Sequence, residues 1–147
     1  MDLKAILNEW QVDCKINDNQ LDVTSRDTPK LHSKYLTWLA EAKLAKKRAE
    51  FKQKDLLKKK WLYYNGKMSE EEVKELGWEF DPFNGLKVMK GEMEYYYDSD
   101  VEIQQSEEKI EYWKTVIETL TEIITNLNWR HQTIGNMIRW KQFEAGM

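Results

Sequence analysis

The sequence predicts an all-α protein: a short N-terminal helix, a long basic central helix, an irregular acidic connection and a long apolar C-terminal helix. Three observations carry this. Among 147 residues, Pro29 and Pro82 are the only prolines and glycines number six, too few for a turn-rich sheet protein. Charged residues make up 33% of the chain, which suits long helices with solvated faces. Apolar residues recur at helical spacing through both halves. At 41% they suffice for a core.

The elements follow in order. Leu3, Ile6, Leu7 and Trp10 trace one face of a short amphipathic helix. The polar stretch from Asp13 to Asp27 contains a turn signal, Asn17-Asp18-Asn19, with Ile16, Leu21 and Val23 as anchors. Thr28-Pro29 reads as a helix start, Thr as the cap and Pro at the first helical position. From there the pattern runs to Tyr64, roughly 54 Å of helix. Its stripe of Leu31, Tyr35, Trp38, Leu39 and Ala42 thins to Ala45, Ala49, Leu56 and Leu57, and Asn65-Gly66 ends it. Ser69 and Glu72 form a capping box for a short helix ending at Gly77. Gly77, Pro82, Gly85 and Gly91 then punctuate a loop-like segment that Trp78, Phe80 and Phe83 pin to a neighbouring surface. A second capping box, Ser99 and Glu102, opens the last helix.

That last helix carries heptad rows. Ile103, Ile110, Ile117 and Ile124 form one; Trp113, Leu120, Leu127 and Ile134 a second; Val116, Ile123 and Met137 a third. Three rows are wider than a dimer seam. The face packs on the central helix, on other subunits, or on both. The rows break at His131, Gly135 and Lys141, where a bend is expected.

Charge is polarised. The net charge of -3 conceals +8 over residues 43–67 and -10 over residues 68–112. Lys43, Lys46, Lys47, Arg48, Lys52, Lys54, Lys58, Lys59, Lys60 and Lys67 lie on the central helix and its exit, followed or interrupted by Trp61, Tyr63 and Tyr64. Lysines attract phosphates regardless of base sequence, and rings stack on unpaired bases. The bland alternative is a solvated face whose lysines pair with the acidic block. A structural oligomeriser docking an acidic protein remains a competing function.

Other chemistry is thin. Glu70, Glu71 and Glu72 point in three directions, while Glu92, Glu94, Asp98 and Asp100 come closer to a metal-binding spacing. No histidine or glycine-rich phosphate loop accompanies them, so an acidic surface or a mask for the lysines is the preferred reading. His131, on the apolar side, reads as an interface histidine, and Cys14 as a small buried residue in a reducing cytoplasm. No signal peptide or spanning segment is visible, and the chain reads as soluble. Neither an enzyme nor a cofactor is expected.

Four patches resemble the UvsY recombination mediators of T-even-like phages. They are Ile16 to Leu21 with Leu31 and Ser33-Lys34-Tyr35-Leu36; Leu57-Lys58-Lys59-Lys60 with Leu62-Tyr63-Tyr64-Asn65-Gly66-Lys67; Glu111-Tyr112-Trp113; and Phe143-Glu144-Ala145-Gly146. The family's DNA motif places a basic residue, a spacer and an arginine before paired tyrosines. Lys58 and Lys60 stand at those positions, and lysine keeps the charge but loses the bidentate fork. The resemblance implies a ring of six or seven subunits assembled through the C-terminal helix. It implies binding of single-stranded DNA, and partnership with a phage single-strand binding protein and a RecA-like recombinase in the infected bacterial cytoplasm. On this basis residues 1–98 are the DNA-binding region, using Lys43, Lys46, Lys47, Arg48, Lys54, Lys58, Lys59, Lys60, Tyr63, Tyr64 and Lys67. Residues 99–147 are the assembly helix, using Ile110, Trp113, Ile117, Leu120, Ile124 and Leu127.

Overall fold

A computed structural model of the chain describes residues 1–146. Among them every regular element is a helix: α1 (Leu3–Asp13), α2 (Leu21–Tyr64), α3 (Glu70–Leu76), α4 (Met93–Ser99) and α5 (Val101–Glu144). The chain forms two compact units. One contains Met1–Ala45 and Trp113–Met147, the other Lys46–Tyr112, so α2 and α5 contribute to both. The units thus do not follow chain order, unlike the division by role at residue 98. No described helix is long and apolar enough to cross a membrane.

In the first unit α1 starts at Asp2, whose carboxylate accepts from the Ala5 amide at 2.7 Å. Its face buries Ile6 in a core with Tyr35 and Ala42 from α2 and Val116, Leu120, Ile123 and Leu127 from α5. Trp10 and Trp38 meet Tyr35 edge-on, with ring centroids 5.6 and 5.3 Å away. The Tyr35 hydroxyl donates to Asp13 at 2.8 Å, and Lys34 reaches both Asp13 (2.5 Å) and Glu9 (2.8 Å). Burial alone would lower the Lys34 pKa, yet hydrogen bonds to Asp13 and Glu9 leave it raised. Burial, then the bond to Asp13, pushes the Tyr35 hydroxyl far up. Arg130 of α5, itself buried, donates to the Asp13 carbonyl at 2.7 Å and fixes the end of α1.

Several sequence expectations change here. The long helix begins at Leu21, before Thr28. An Asx turn, in which Asn19 N–H donates to Asn17 Oδ1 at 3.0 Å, reverses the chain, and Thr24 N–H donates to Gln20 O at 3.0 Å. Thr28 is no cap; its hydroxyl donates back to Thr24 O at 2.8 Å. Pro29 lies inside the helix. It has no N–H for the Ser25 carbonyl, and Ser25 is an exposed residue. The helix α5 continues past His131 and Gly135 to Glu144. His131 is exposed and bonded at Nδ1 to Asn128 O (2.9 Å), and Cys14 is exposed at the C-cap of α1.

In the second unit Gly66 ends α2 with φ 66°, and Lys67 N–H donates to Leu62 O at 2.9 Å. Ser69 caps α3 by accepting from Glu72 N–H at 3.3 Å, and Gly77 closes it with φ 74°. The expected loop over residues 78–98 contains α4. Ser99 therefore ends a helix rather than starting one: its hydroxyl donates to Tyr95 O at 2.8 Å. Asp100 caps α5 instead, accepting from Ile103 N–H at 3.0 Å.

Candidate nucleic-acid interface

Most of the predicted basic residues are exposed, and all but Lys67, just beyond its end, occupy α2. Lys43 lies in the first unit; Lys46, Lys47, Arg48, Lys54, Lys58, Lys59 and Lys67 lie in the second. Lys46 and Lys47 share Glu50, at 3.3 and 3.7 Å. Lys43, Arg48, Lys54, Lys58, Lys59 and Lys67 are exposed and, among the described residues, make no ion pair. The acidic block therefore does not neutralise them one by one. Lys58 and Lys59 line a groove of about 440 Å3 with Leu62, Met68, Glu72 and Glu75. Carboxylates stand nearby, but no side-chain pair closes.

Lys60, Tyr63 and Tyr64 are placed differently from the sequence expectation of a DNA surface. Lys60 is only 4% exposed. Its ammonium sits 3.0 Å from Asp100 and 3.5 Å from Glu102, and 3.8 Å from the centre of the Trp78 ring. Trp78 Nε1 donates to the same Glu102 oxygen. Tyr63 is buried; its hydroxyl donates to the Glu79 carbonyl and its ring packs on Trp78 at 5.0 Å. Tyr64 donates to Asp100 at 2.6 Å and packs against Phe83 and Tyr96. Burial pushes the Tyr64 hydroxyl up, and the bond to Asp100 adds to this. For Asp100, burial favours the neutral acid. The hydrogen bonds from Tyr64, the Ile103 amide and Lys60 outweigh it and hold the carboxyl below its ordinary value. These side chains build the support on which the exposed lysines stand. The acidic residues whose spacing comes nearest to metal binding are not gathered: no cluster of three or more His, Cys, Asp or Glu that could hold a metal ion forms among the described residues.

The predicted assembly residues also divide. Leu120 and Leu127 are buried in the first unit's own core, so the protomer already uses them. Trp113, Ile117 and Ile124 are half-buried against that core, and Ile110 is half-buried in the second unit. Apart from Val101 and Tyr112 in its first half, the apolar side chains left open on α5 lie nearer its C-terminus: Trp129 (56% exposed), Ile138, Trp140 (61%) and Phe143 (71%). Trp140 and Phe143 stack on each other at 5.5 Å. The heptad reading missed them because it followed rows that continue the core.

The fold is that of solved recombination mediators. The chain matches crystal structures of the bacteriophage T4 recombination mediator protein UvsY in several lattices. One match has a TM-score of 0.82 at 22% identity, covering 99% of this chain and 98% of that one. A second has 0.79 at 20%, covering 98% and 99%. A third has 0.78 at 21%, covering 95% and 98%. At such identities the likeness is one of fold. A search of curated proteins finds no match. The family model described as "Recombination, repair and ssDNA binding protein UvsY" matches residues 9–147, so the chain belongs to the UvsY family.

Proposed function

We propose that this protein binds single-stranded DNA along the exposed basic surface of α2 and acts as a recombination mediator. It promotes loading of a RecA-like phage recombinase onto DNA covered by single-strand binding protein, in the host cytoplasm. The carrying observation is that Lys54, Lys58 and Lys59 are exposed without acidic partners while the adjacent Lys60 is locked inside. A strand that neutralises such lysines releases its counterions, which makes binding independent of base sequence and dependent on salt. Membership of the family supports the reading.

The mediator works as a homo-oligomer, a hexamer or heptamer, assembled through α5. The exposed Trp129, Trp140 and Phe143 support this, since a monomer gains nothing by leaving them in water. Repeating one lysine surface around a ring turns each further contact into an intramolecular one. No catalytic step is assigned to the chain.

The test pairs two assays. Labelled oligo-dT and duplex of equal length are titrated across a salt series, with tighter, salt-dependent binding of the single strand expected. Recombinase ATPase is then followed on single strands precoated with single-strand binding protein, with shortening of its lag expected. Binding without stimulation would restrict the protein to DNA binding; no binding at low salt would favour an oligomeriser that docks an acidic protein.

A further inference from the structure

Lys47, Phe51, Lys54, Lys58 and Trp61 fall at i, i+4, i+7, i+11 and i+14 of α2. At ~100° per residue they lie within about 40° of the direction set by Lys47, on one face of the helix. All belong to the second unit. Each of these side chains is exposed, Phe51 at 53% and Trp61 at 43%. Single exposed apolar residues are common. Two aromatic rings alternating with lysines on one face need a further reason. Both rings are about half exposed and flanked by ammonium groups. Lys47 and Lys54 lie 5.2 and 5.6 Å from the Phe51 centroid, and Lys67 lies 4.6 Å from that of Trp61.

We propose that Phe51 and Trp61 are the base-stacking platforms of this surface, with the flanking lysines taking the phosphates. The inference rests on the single-stranded DNA reading and supplies it with residues that Tyr63 and Tyr64, turned inward, cannot supply. Cation–π contacts at exposed sites are weak, so a lysine leaves a ring face readily when a phosphate is offered. The ring face is then free for an unpaired base, and every base has one to offer. The rings are separated by ten residues, about 15 Å along the helix. At ~3.4 Å per stacked nucleotide that distance spans about four nucleotides, fewer if the strand is extended. Lys54 and Lys58 lie between the rings, where the intervening phosphates would pass.

Stacking and phosphate contacts are separable, because only the first needs bases. The experiment measures the intact protein, Phe51→Leu, Trp61→Leu and the double variant against oligo-dT and an equally long abasic strand. Leucine keeps an apolar side chain and helix propensity but has no ring face. The wild type should prefer oligo-dT to the abasic strand. Each substitution should weaken oligo-dT binding about fivefold or more while leaving abasic binding and the salt slope unchanged. Trp61→Phe should retain most of the oligo-dT affinity. Equal losses on both strands, or an unaffected double variant, would overturn the proposal while leaving DNA binding intact. Failure of the wild type to bind either strand at low salt would overturn the DNA-binding reading itself, and this inference with it.

Discussion

The ammonium of Lys60 lies 3.0 Å from the carboxylate of Asp100, and both side chains are only 5% exposed. The pair joins the C-terminal part of α2 to the residue that precedes α5. It also separates Lys60 in kind from Lys58 and Lys59, which are exposed. Removing one member of a buried pair strands the other charge and costs about 3–5 kcal/mol, whereas exposed substitutions fall within about ±0.5 kcal/mol. Lys60→Ala should therefore lower the stability of the protein steeply, and Lys58→Ala should not. Urea unfolding followed by circular dichroism separates them. Equal midpoints would mean that the pair contributes nothing.

Asp100 makes the same contact pH-dependent. Its folded pKa is below the ordinary 3.8, so folding favours the charged form. The stabilisation is fully present above that value and is lost as pH falls through the ordinary value and the lower folded one. Asp100→Asn should lower stability at neutral pH and flatten the acid limb of the stability curve below about pH 4. An acid limb as steep as wild type would assign the titration to other carboxylates.

Arg130 anchors the other unit. Its guanidinium donates to the carbonyls of Asp13 (2.7 Å) and Lys15 (3.4 Å), more than a hundred residues away in the chain. Arg130→Met keeps an apolar stem and loses the donors. Hydrogen bonds from charged groups contribute about 1.5–3 kcal/mol, and a loss of that order is expected. Amide exchange should rise first in α1. Unchanged exchange there would show that the apolar contacts of Ile6 hold α1 without help.

These residues mark how far the sequence is legible. Ser69, Gly66 and Gly77 act locally: a cap oxygen or a positive φ is decided within one turn, and all three stand where the sequence predicts. The apolar period likewise revealed two long helices, because burial of one face repeats every turn. Pro29 misled because a proline at a helix start and a proline tolerated within a helix leave the same local signature. What decides is the packing of Leu31, Tyr35 and Trp38 on residues far along the chain. Lys60 was unreadable for the same reason. Nothing within the lysine run distinguishes it from Lys58 or Lys59; only Asp100, Glu102 and Trp78 do, and they arrive from other elements. Leu120 and Leu127 share one heptad row with Trp113, and periodicity does not say whether a row faces its own chain or another.

That ambiguity is resolved by choosing exposed positions for the assembly test. Ile117→Asp and Ile124→Asp would disturb side chains packed on the first unit's core, confounding folding with association. Trp140→Ala with Phe143→Ala alters side chains that are 61% and 71% exposed. Helicity should survive while the solution mass falls toward that of one chain by light scattering. Affinity for long oligo-dT should fall by up to about 10²–10⁴-fold, as avidity is lost. A variant that keeps wild-type mass would move the assembly face elsewhere on the protein.

In the proposed function the exposed lysines of α2 contact phosphate. The most direct test is the salt dependence of oligo-dT binding for wild type and for Lys58→Ala with Lys59→Ala, measured across a salt series in one buffer. Each lost phosphate contact should reduce the slope of log K against log salt by about 0.7 on a single strand, so the double variant should bind more weakly with a slope shallower by up to about 1.4. Its helicity and unfolding midpoint should match wild type. A double variant with the wild-type slope and affinity would contradict the claim and place the strand on another surface.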